Sequence, residues 1–151
     1  MIRLLGVLVV VLVVGVGCRS PGNPPERPAQ GEYQDIIRRE LDSAGNALAT
    51  SELVLRYAAI DRIPPTYADV VLRQAANDLR KIAQDIRAIH PPRGAGRAQR
   101  HLLLICERDG TALANLRSHF TDADQRRLIR SRVTRDAKLL DTLLAAQLDP
   151  R

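Results

Sequence analysis

Aromatic residues are almost missing from this sequence, which has no tryptophan, one phenylalanine and three tyrosines. Proteins that bind single-stranded nucleic acid stack its bases on aromatic side chains, so this scarcity argues against nucleic acid as a partner. Methionine occurs only as Met1, which leaves the mature chain without a thioether ligand for haem or metal. Lysine is limited to Lys81 and Lys138, so the formal net charge of +6 comes almost entirely from arginine.

Histidine and cysteine are too few and too widely spaced for the common catalytic and metal-binding motifs. The three histidines are His90, His101 and His119, and neither H-E-x-x-H nor a Glu-x-x-His pair occurs. The haem motif C-x-x-C-H, a serine elbow and a phosphate-binding loop are also missing. Cys106 and His101 would point in different directions on one helix, so we interpret Cys106 as a buried small hydrophobe. We therefore expect no metal, no cofactor and no enzymatic activity.

The first eighteen residues have the layout of an export signal. Arg3 provides a positive start, residues 4–14 are almost entirely leucine and valine, and small residues lead to Cys18. The apolar run has about fourteen residues before Arg19, whereas a transmembrane helix needs about 20. The pattern predicts a cleaved signal peptide.

Val16, Gly17 and Cys18 resemble the end of the lipobox in bacterial lipoproteins. The resemblance implies cleavage between Gly17 and Cys18 and a diacylglyceryl group, with fatty acyl chains such as palmitate, on Cys18. Gly15 departs from the pattern, since the family has leucine or another aliphatic residue there. The alternative is an ordinary signal peptide whose cleavage site lies beside a cysteine. With lipidation, the protein is anchored in the cell envelope, facing outside the cytoplasm.

Three regions follow from this interpretation: a signal peptide at 1–17, the lipidated cysteine with a proline-rich linker at 18–31, and a folded domain at 32–151. The proline-rich residues 19–31 favour extended conformations and span at most ~40 Å at ~3.1 Å per residue. If Cys18 is lipidated, Cys106 has no disulfide partner in the chain.

The folded domain has a helical apolar period throughout. Proline pairs and a Thr-Asp start signal divide it into helices at about 32–62, 65–89, 94–119 and 122–148. We predict an all-α, up-down-up-down four-helix bundle; the alternative is two hairpins that complete a core by dimerising. Thr66 with Asp69 is the predicted cap of the second helix and Thr121 that of the fourth, with a kink expected near Gly45.

Two sets of arginines form candidate interaction surfaces. The bundle topology places the first set towards the membrane: Arg38, Arg39, Arg87, Arg93, Arg97 and Arg100. The second set lies at the other end as a candidate surface for an envelope protein partner: Arg126, Arg127, Arg130, Arg132 and Arg135. The alternative for both sets is a solvated surface interleaved with Asp122, Asp124 and Asp136.

Asp109 is an unusual member of an otherwise apolar helix stripe. Small and polar residues are predicted at the same height in the bundle: Gly45, Asn46, Ala75, Asn77, Gly110 and Thr134. This layer is a candidate small-ligand or metal-handling site, unless Asp109 is exposed or pairs with an arginine such as Arg135. The preferred interpretation remains a membrane-anchored lipoprotein with a non-catalytic binding or scaffold domain.

Overall fold

The computed structural model describes residues 28–116 and 122–148. These residues form four helices and no strand: α1 (Gln30–Ala58), α2 (Pro65–Arg87), α3 (Gly96–Leu116) and α4 (Ala123–Leu148). The helices pack as the predicted four-helix bundle. The predicted signal peptide at 1–17, Cys18 and most of the linker lie outside the described residues, as do Thr121 and His119. The bundle therefore tests the fold prediction but not the prediction of lipidation.

The predicted apolar stripes form the core. In α1 every predicted stripe residue is buried: Ile37, Leu41, Ala44, Leu48, Ser51, Leu55 and Ala58. Buried side chains come from all four helices, and the helix pairs α1–α4, α2–α3 and α1–α2 have extensive contacts. The α3–α4 pair has a much smaller interface. A single chain thus completes its own core without the dimerisation considered above.

Helix ends account for most differences from the sequence prediction. α2 begins at Pro65 without any side-chain cap, so the predicted capping pair of Thr66 and Asp69 is wrong. Proline suits the first helical position because its missing N–H needs no partner there. In α4, Asp122 Oδ1 accepts hydrogen bonds from the backbone N–H groups of Asp124 (2.9 Å) and Gln125 (3.1 Å) and caps the helix.

α1 differs from the prediction at its start. It begins at Gln30, two residues before the predicted domain boundary, and it continues as α-helix through Gly45. Because α1 starts where the linker ends, we call this end of the bundle the tether end. It comprises the start of α1, the α2–α3 connection and the end of α4. The opposite, far end contains the α1–α2 turn. Within the described residues, no helix has the length and apolarity needed to cross a membrane.

Candidate functional site

A buried polar network joins α1, α2 and α3 at the tether end. The Tyr33 hydroxyl lies 3.0 Å from Gln99 Oε1 and 3.2 Å from the Ala95 carbonyl oxygen, and its proton is shared between these acceptors. Gln99 Nε2 donates to the carbonyl oxygens of Ile86 (2.8 Å) and Ile89 (2.9 Å). Ile86 lies in the last turn of α2 and Ile89 lies two residues beyond its end, so Gln99 binds the backbone where helical hydrogen bonding stops. The network fixes the α2–α3 connection against α1.

Tyr33 and Gln99 are held in this network by burial. Their exposed fractions are 3% and 8%. Burial raises the pKa of the Tyr33 hydroxyl above its ordinary value, and the nearby charge of Arg100 acts in the opposite direction. Tyr33 therefore stays protonated and available as a donor at neutral pH.

A cleft of about 630 Å³ opens beside this network. Its walls come from α1, the α2–α3 connection, α3 and α4: Gln30, Tyr33, Gln34, Ile37, Arg93, Gly94, Ala95, Arg97, Ala98, Leu143 and Ala146. Arg93 and Arg97 are the only charged residues among these lining residues. Gly94 has φ = +83°, a left-handed conformation that glycine adopts without steric cost, so the turn brings the two arginines to the same cleft. We call it the tether-end cleft.

The first predicted set of arginines is exposed throughout but does not form one cluster. Only Arg93 and Arg97 line the tether-end cleft. Arg38 and Arg39 border a separate groove that also contains Asp35 and Asp42. Arg87 forms an ion pair with Glu107, and Arg100 is exposed on α3. The structure therefore separates two cleft arginines from four others.

The second predicted set is interleaved with acidic residues. Arg127 lies 3.9 Å from Asp124, and both side chains are exposed. Arg130 reaches across to Glu52 on α1 at 3.6 Å, whereas Arg135 lies 3.8 Å from Asp136. Arg126 and Arg132 are partly buried, and Arg132 borders two grooves between α3 and α4. These contacts spread the positive charge along α4 and do not concentrate it in one pocket.

Asp109 is fully buried at the α3–α4 interface, together with Asp136 of α4. The cation between them is Arg108, which lies 3.3 Å from Asp109 and forms an ion pair with Asp136. The alternative in which Asp109 pairs with an arginine is thus confirmed, with Arg108 and not Arg135 as the partner. Asp109 Oδ2 has no hydrogen-bond partner, and burial, followed by the charge of Asp136, raises the pKa of Asp109 to about 6. The site is a carboxyl pair compensated by one guanidinium.

The small residues predicted beside Asp109 contact different helices. Gly110 packs against α2, since a Cβ there would lie 3.4 Å from both the Ala76 carbonyl oxygen and the Leu79 Cβ. Gly45 faces α4, where the nearest atom to a built Cβ is Asp141 Oδ1 at 4.0 Å. Within the described residues no group of three or more His, Cys, Asp or Glu side chains is placed to hold a metal ion.

Cys106 is buried, as the sequence predicted. Burial, together with the charge of Asp109, raises the pKa of its thiol to about 12. The thiolate is the nucleophilic form of cysteine, so this environment suppresses reactivity. His101, five residues earlier, is exposed and lies on another face of α3.

A smaller cleft of about 200 Å³ lies between α2 and α3. Leu72, Ala76 and Leu113 contribute its apolar side chains. Its polar rim is already engaged within α2: Arg73 pairs with Asp69, and Arg80 donates a hydrogen bond to Asn77.

Several large apolar side chains are exposed around the α1–α2 turn at the far end: Leu53, Tyr57, Ile60, Tyr67 and Val70. Tyr67, Ile60 and Val70 have exposed fractions of 56%, 60% and 60%. The Arg56 guanidinium carbon lies 5.6 Å from the centre of the Tyr57 ring. Two of the three tyrosines in the chain are thus presented to solvent near one turn. We call these five residues the far-end apolar surface.

Sequence reasoning missed the roles of Tyr33, Gln99 and Asp136. Tyr33 extends the α1 stripe by one step of four before Ile37, and Asp136 falls between Val133 and Leu140 in the α4 stripe. A polar residue that falls on the apolar stripe of a helix is predicted to be buried with that stripe. The partners of these side chains lie on other helices and carry no comparable signal.

No protein-family model matches the chain, and no curated protein or solved structure matches it either.

Proposed function

We propose that this protein is a lipid-anchored cell-envelope lipoprotein whose four-helix bundle is a non-catalytic binding or scaffold domain. The lipobox-like residues ending at Cys18 and the proline-rich linker support the anchor. α1 starts at Gln30, so the linker enters at the tether end and the α1–α2 turn points away from the attachment.

The far-end apolar surface is the observation that carries the binding role. Exposed groups of apolar side chains in monomeric proteins mark interaction sites, and tyrosine is enriched among residues that dominate binding energies. Leu53 and Tyr57 lie four residues apart on one side of α1, and Ile60 follows in the turn just beyond the end of this helix. Tyr67 and Val70 occupy the start of α2, across the turn. An envelope protein that binds here would meet the domain at the end farthest from its anchor.

Lipidation is tested by metabolic labelling with palmitate and by the mass of the mature N-terminus. We expect label on the wild-type protein, loss of label in Cys18→Ser, and a mature chain that begins at Cys18. An intact Met1 on an unlabelled cytosolic polypeptide would contradict the anchor.

Binding is tested by affinity capture from detergent-solubilised membranes with the anchor intact. The variant Tyr57→Ser/Tyr67→Ser should lose a partner that the wild type retains. Leu104→Ser on α3 is the matched control, because Leu104 is 58% exposed but lies outside the far-end apolar surface. A partner retained by the double tyrosine variant, or lost equally in the control, would exclude this surface.

The second candidate is a small-ligand or metal-handling site near Asp109. In its favour, the buried Asp109 Oδ2 has no hydrogen-bond partner. However, Asp109 does not line any of the five grooves and clefts considered above. Addition of Zn²⁺ or Ca²⁺ tests this candidate: a metal-dependent rise in thermal stability that Asp109→Asn abolishes would favour it over the binding domain.

A further inference from the structure

The tether-end cleft is the largest of the clefts described above, and its lining is unusual in charge. Its volume of about 630 Å³ lies within the range of small-molecule sites, roughly 300–1,000 Å³. Ala95, Leu143 and Ala146 provide apolar surface, while Arg93 and Arg97 provide positive charge. An occupant that matches this lining combines an apolar portion with an anionic group.

The two arginines have no ion-pair partner within the described part of the chain. Other arginines of the bundle do, as the pairs of Arg87 with Glu107 and of Arg130 with Glu52 show. Arginine binds phosphate through bidentate, charge-assisted hydrogen bonds. The cleft therefore offers two guanidinium groups that form no ion pair with any carboxylate among residues 28–116 and 122–148.

The cleft is bordered by the buried hydrogen-bond network. Tyr33, which lines it, is 3% exposed and hydrogen-bonded to Gln99 and the Ala95 carbonyl oxygen. This network holds the connection that carries Arg93 and the first turn of α3 that carries Arg97. A preformed site loses less conformational entropy on binding than a flexible one does.

The position of the cleft identifies the source of its ligand. Gln30 lines the cleft, and nine residues, 19–27, separate Cys18 from the first described residue, Pro28, which makes ten residue-to-residue steps. An extended linker of that length reaches at most ~31 Å at ~3.1 Å per residue. A lipid on Cys18 would keep the cleft within this distance of the bilayer surface, where anionic phospholipids present a phosphate above acyl chains.

We propose that the tether-end cleft binds an anionic glycerophospholipid, with Arg93 and Arg97 contacting the headgroup and the apolar lining receiving the upper part of an acyl chain. This inference rests on the proposed lipid anchor for its source of ligand. It goes further because it assigns lipid binding to two arginines in one cleft. A general attraction to an anionic membrane would involve all six arginines of the first predicted set.

The test uses soluble protein that begins at Pro28, which retains every core residue because the buried core extends from Tyr33 to Leu140. Dihexanoyl phosphatidylglycerol is titrated below its micelle concentration, with dihexanoyl phosphatidylcholine as the neutral control and inorganic phosphate as the control without acyl chains. Affinities come from NMR shift titrations. We expect the anionic lipid to bind about tenfold or more tightly than either control.

The double variant Arg93→Gln/Arg97→Gln should weaken phosphatidylglycerol binding by about tenfold or more. Arg38→Gln/Arg39→Gln is the matched control, because it removes the same charge from the same end of the bundle but outside the cleft. The control variant should change the affinity for phosphatidylglycerol by less than about threefold. This difference distinguishes a local binding site from a general attraction between the positive bundle and the anionic lipid. Circular dichroism confirms that both variants remain folded.

Equal losses in the two double variants would overturn the proposal, as would equal binding of neutral and anionic lipid. Binding of inorganic phosphate as tight as that of the lipid would assign the cleft to free phosphate and overturn the lipid site. Failure of the anchor proposal can be distinguished from failure of the lipid site. An incorrect anchor proposal would appear as an unlipidated Cys18 in the native protein, and it would not change the titration with soluble lipid.

Discussion

Asp109 of α3 and Asp136 of α4 are both buried and both contact one guanidinium, that of Arg108. They lie at the smallest interface between neighbouring helices in the bundle. Two ionised carboxylates beside a single cation leave one negative charge without compensation in a poorly solvated site, which favours retention of a proton. The stability of this interface should therefore depend on pH.

Asp109→Asn should remove a pH dependence that opposes ordinary acid denaturation. The pKa of Asp109 is raised from 3.8 to about 6 in the folded chain, so its contribution to stability is fully present below about pH 4 and is lost as pH rises through 6. The stability of the variant relative to wild type should accordingly increase between pH 4 and pH 7, by roughly 3 kcal/mol at 1.36 kcal/mol per pKa unit.

Urea denaturation from pH 4 to 7.5 measures this difference. Asp85→Asn is the control, because Asp85 pairs with Lys81 on the exposed face of α2. Its stability relative to wild type should remain within about 0.5 kcal/mol over this range. A constant difference between Asp109→Asn and wild type would show that Asp109 does not titrate in this window.

Arg108→Gln should destabilise the bundle by about 3 kcal/mol at pH 7, because it leaves two buried carboxylates without their shared cation. The loss should be smaller at pH 4, where Asp109 is protonated. Arg87→Gln removes an ion pair between more exposed side chains, so it should cost less than about 1 kcal/mol. Thermal and urea unfolding of both variants provide the comparison, and similar losses for the two arginines would contradict a special role for Arg108.

The fold was predictable from the sequence because burial and helical period coincide. Ile37, Leu41 and Leu48 are apolar, separated by multiples of a helical turn and almost fully buried. The short connections make consecutive helices run in opposite directions, which gives an antiparallel bundle. The predicted cap at Thr66 is wrong because Pro65 occupies the first helical position, which places Thr66 inside the helix and not before it.

The candidate sites were only partly predictable. The sequence placed Arg93 and Arg97 at the tether end but could not separate them from Arg38 and Arg39, since that separation depends on helix rotation and on the turn at Gly94. It also marked Asp109 as unusual without showing that Asp136 lies opposite. Contacts between helices depend on their relative rotation and height, and a single helix pattern specifies neither.

Cys106 should resist thiol reagents until the bundle unfolds. Its pKa is raised to about 12, first by burial and then by the charge of Asp109, so the thiolate is scarce at pH 8. In protein that begins at Pro28, Cys106 is the only cysteine. Its reaction with Ellman's reagent at pH 8 should be much slower in buffer than in 8 M urea. Equal rates in the two solutions would contradict the burial of this side chain.

Gly45 and Gly110 occupy helix interiors but should respond differently to substitution. Gly45→Ala should stabilise the bundle by about 0.5–1 kcal/mol, because alanine has the higher helix propensity and the nearest atom to its Cβ is 4.0 Å away. At Gly110 a Cβ would contact the Ala76 carbonyl oxygen and the Leu79 Cβ, each at 3.4 Å. Gly110→Ala should therefore gain less than Gly45→Ala.

Valine makes the contrast between these glycines sharper. Its branched methyl groups would overlap α2 at position 110, so Gly110→Val should destabilise by about 1–3 kcal/mol, whereas Gly45→Val should remain within about 1 kcal/mol of wild type. Urea denaturation of the four variants measures both differences. Equal effects of valine at the two positions would show that α2 and α3 do not approach closely at Gly110. Valine is expected to destabilise more at position 110 than at position 45, because only Gly110 faces backbone atoms of a neighbouring helix.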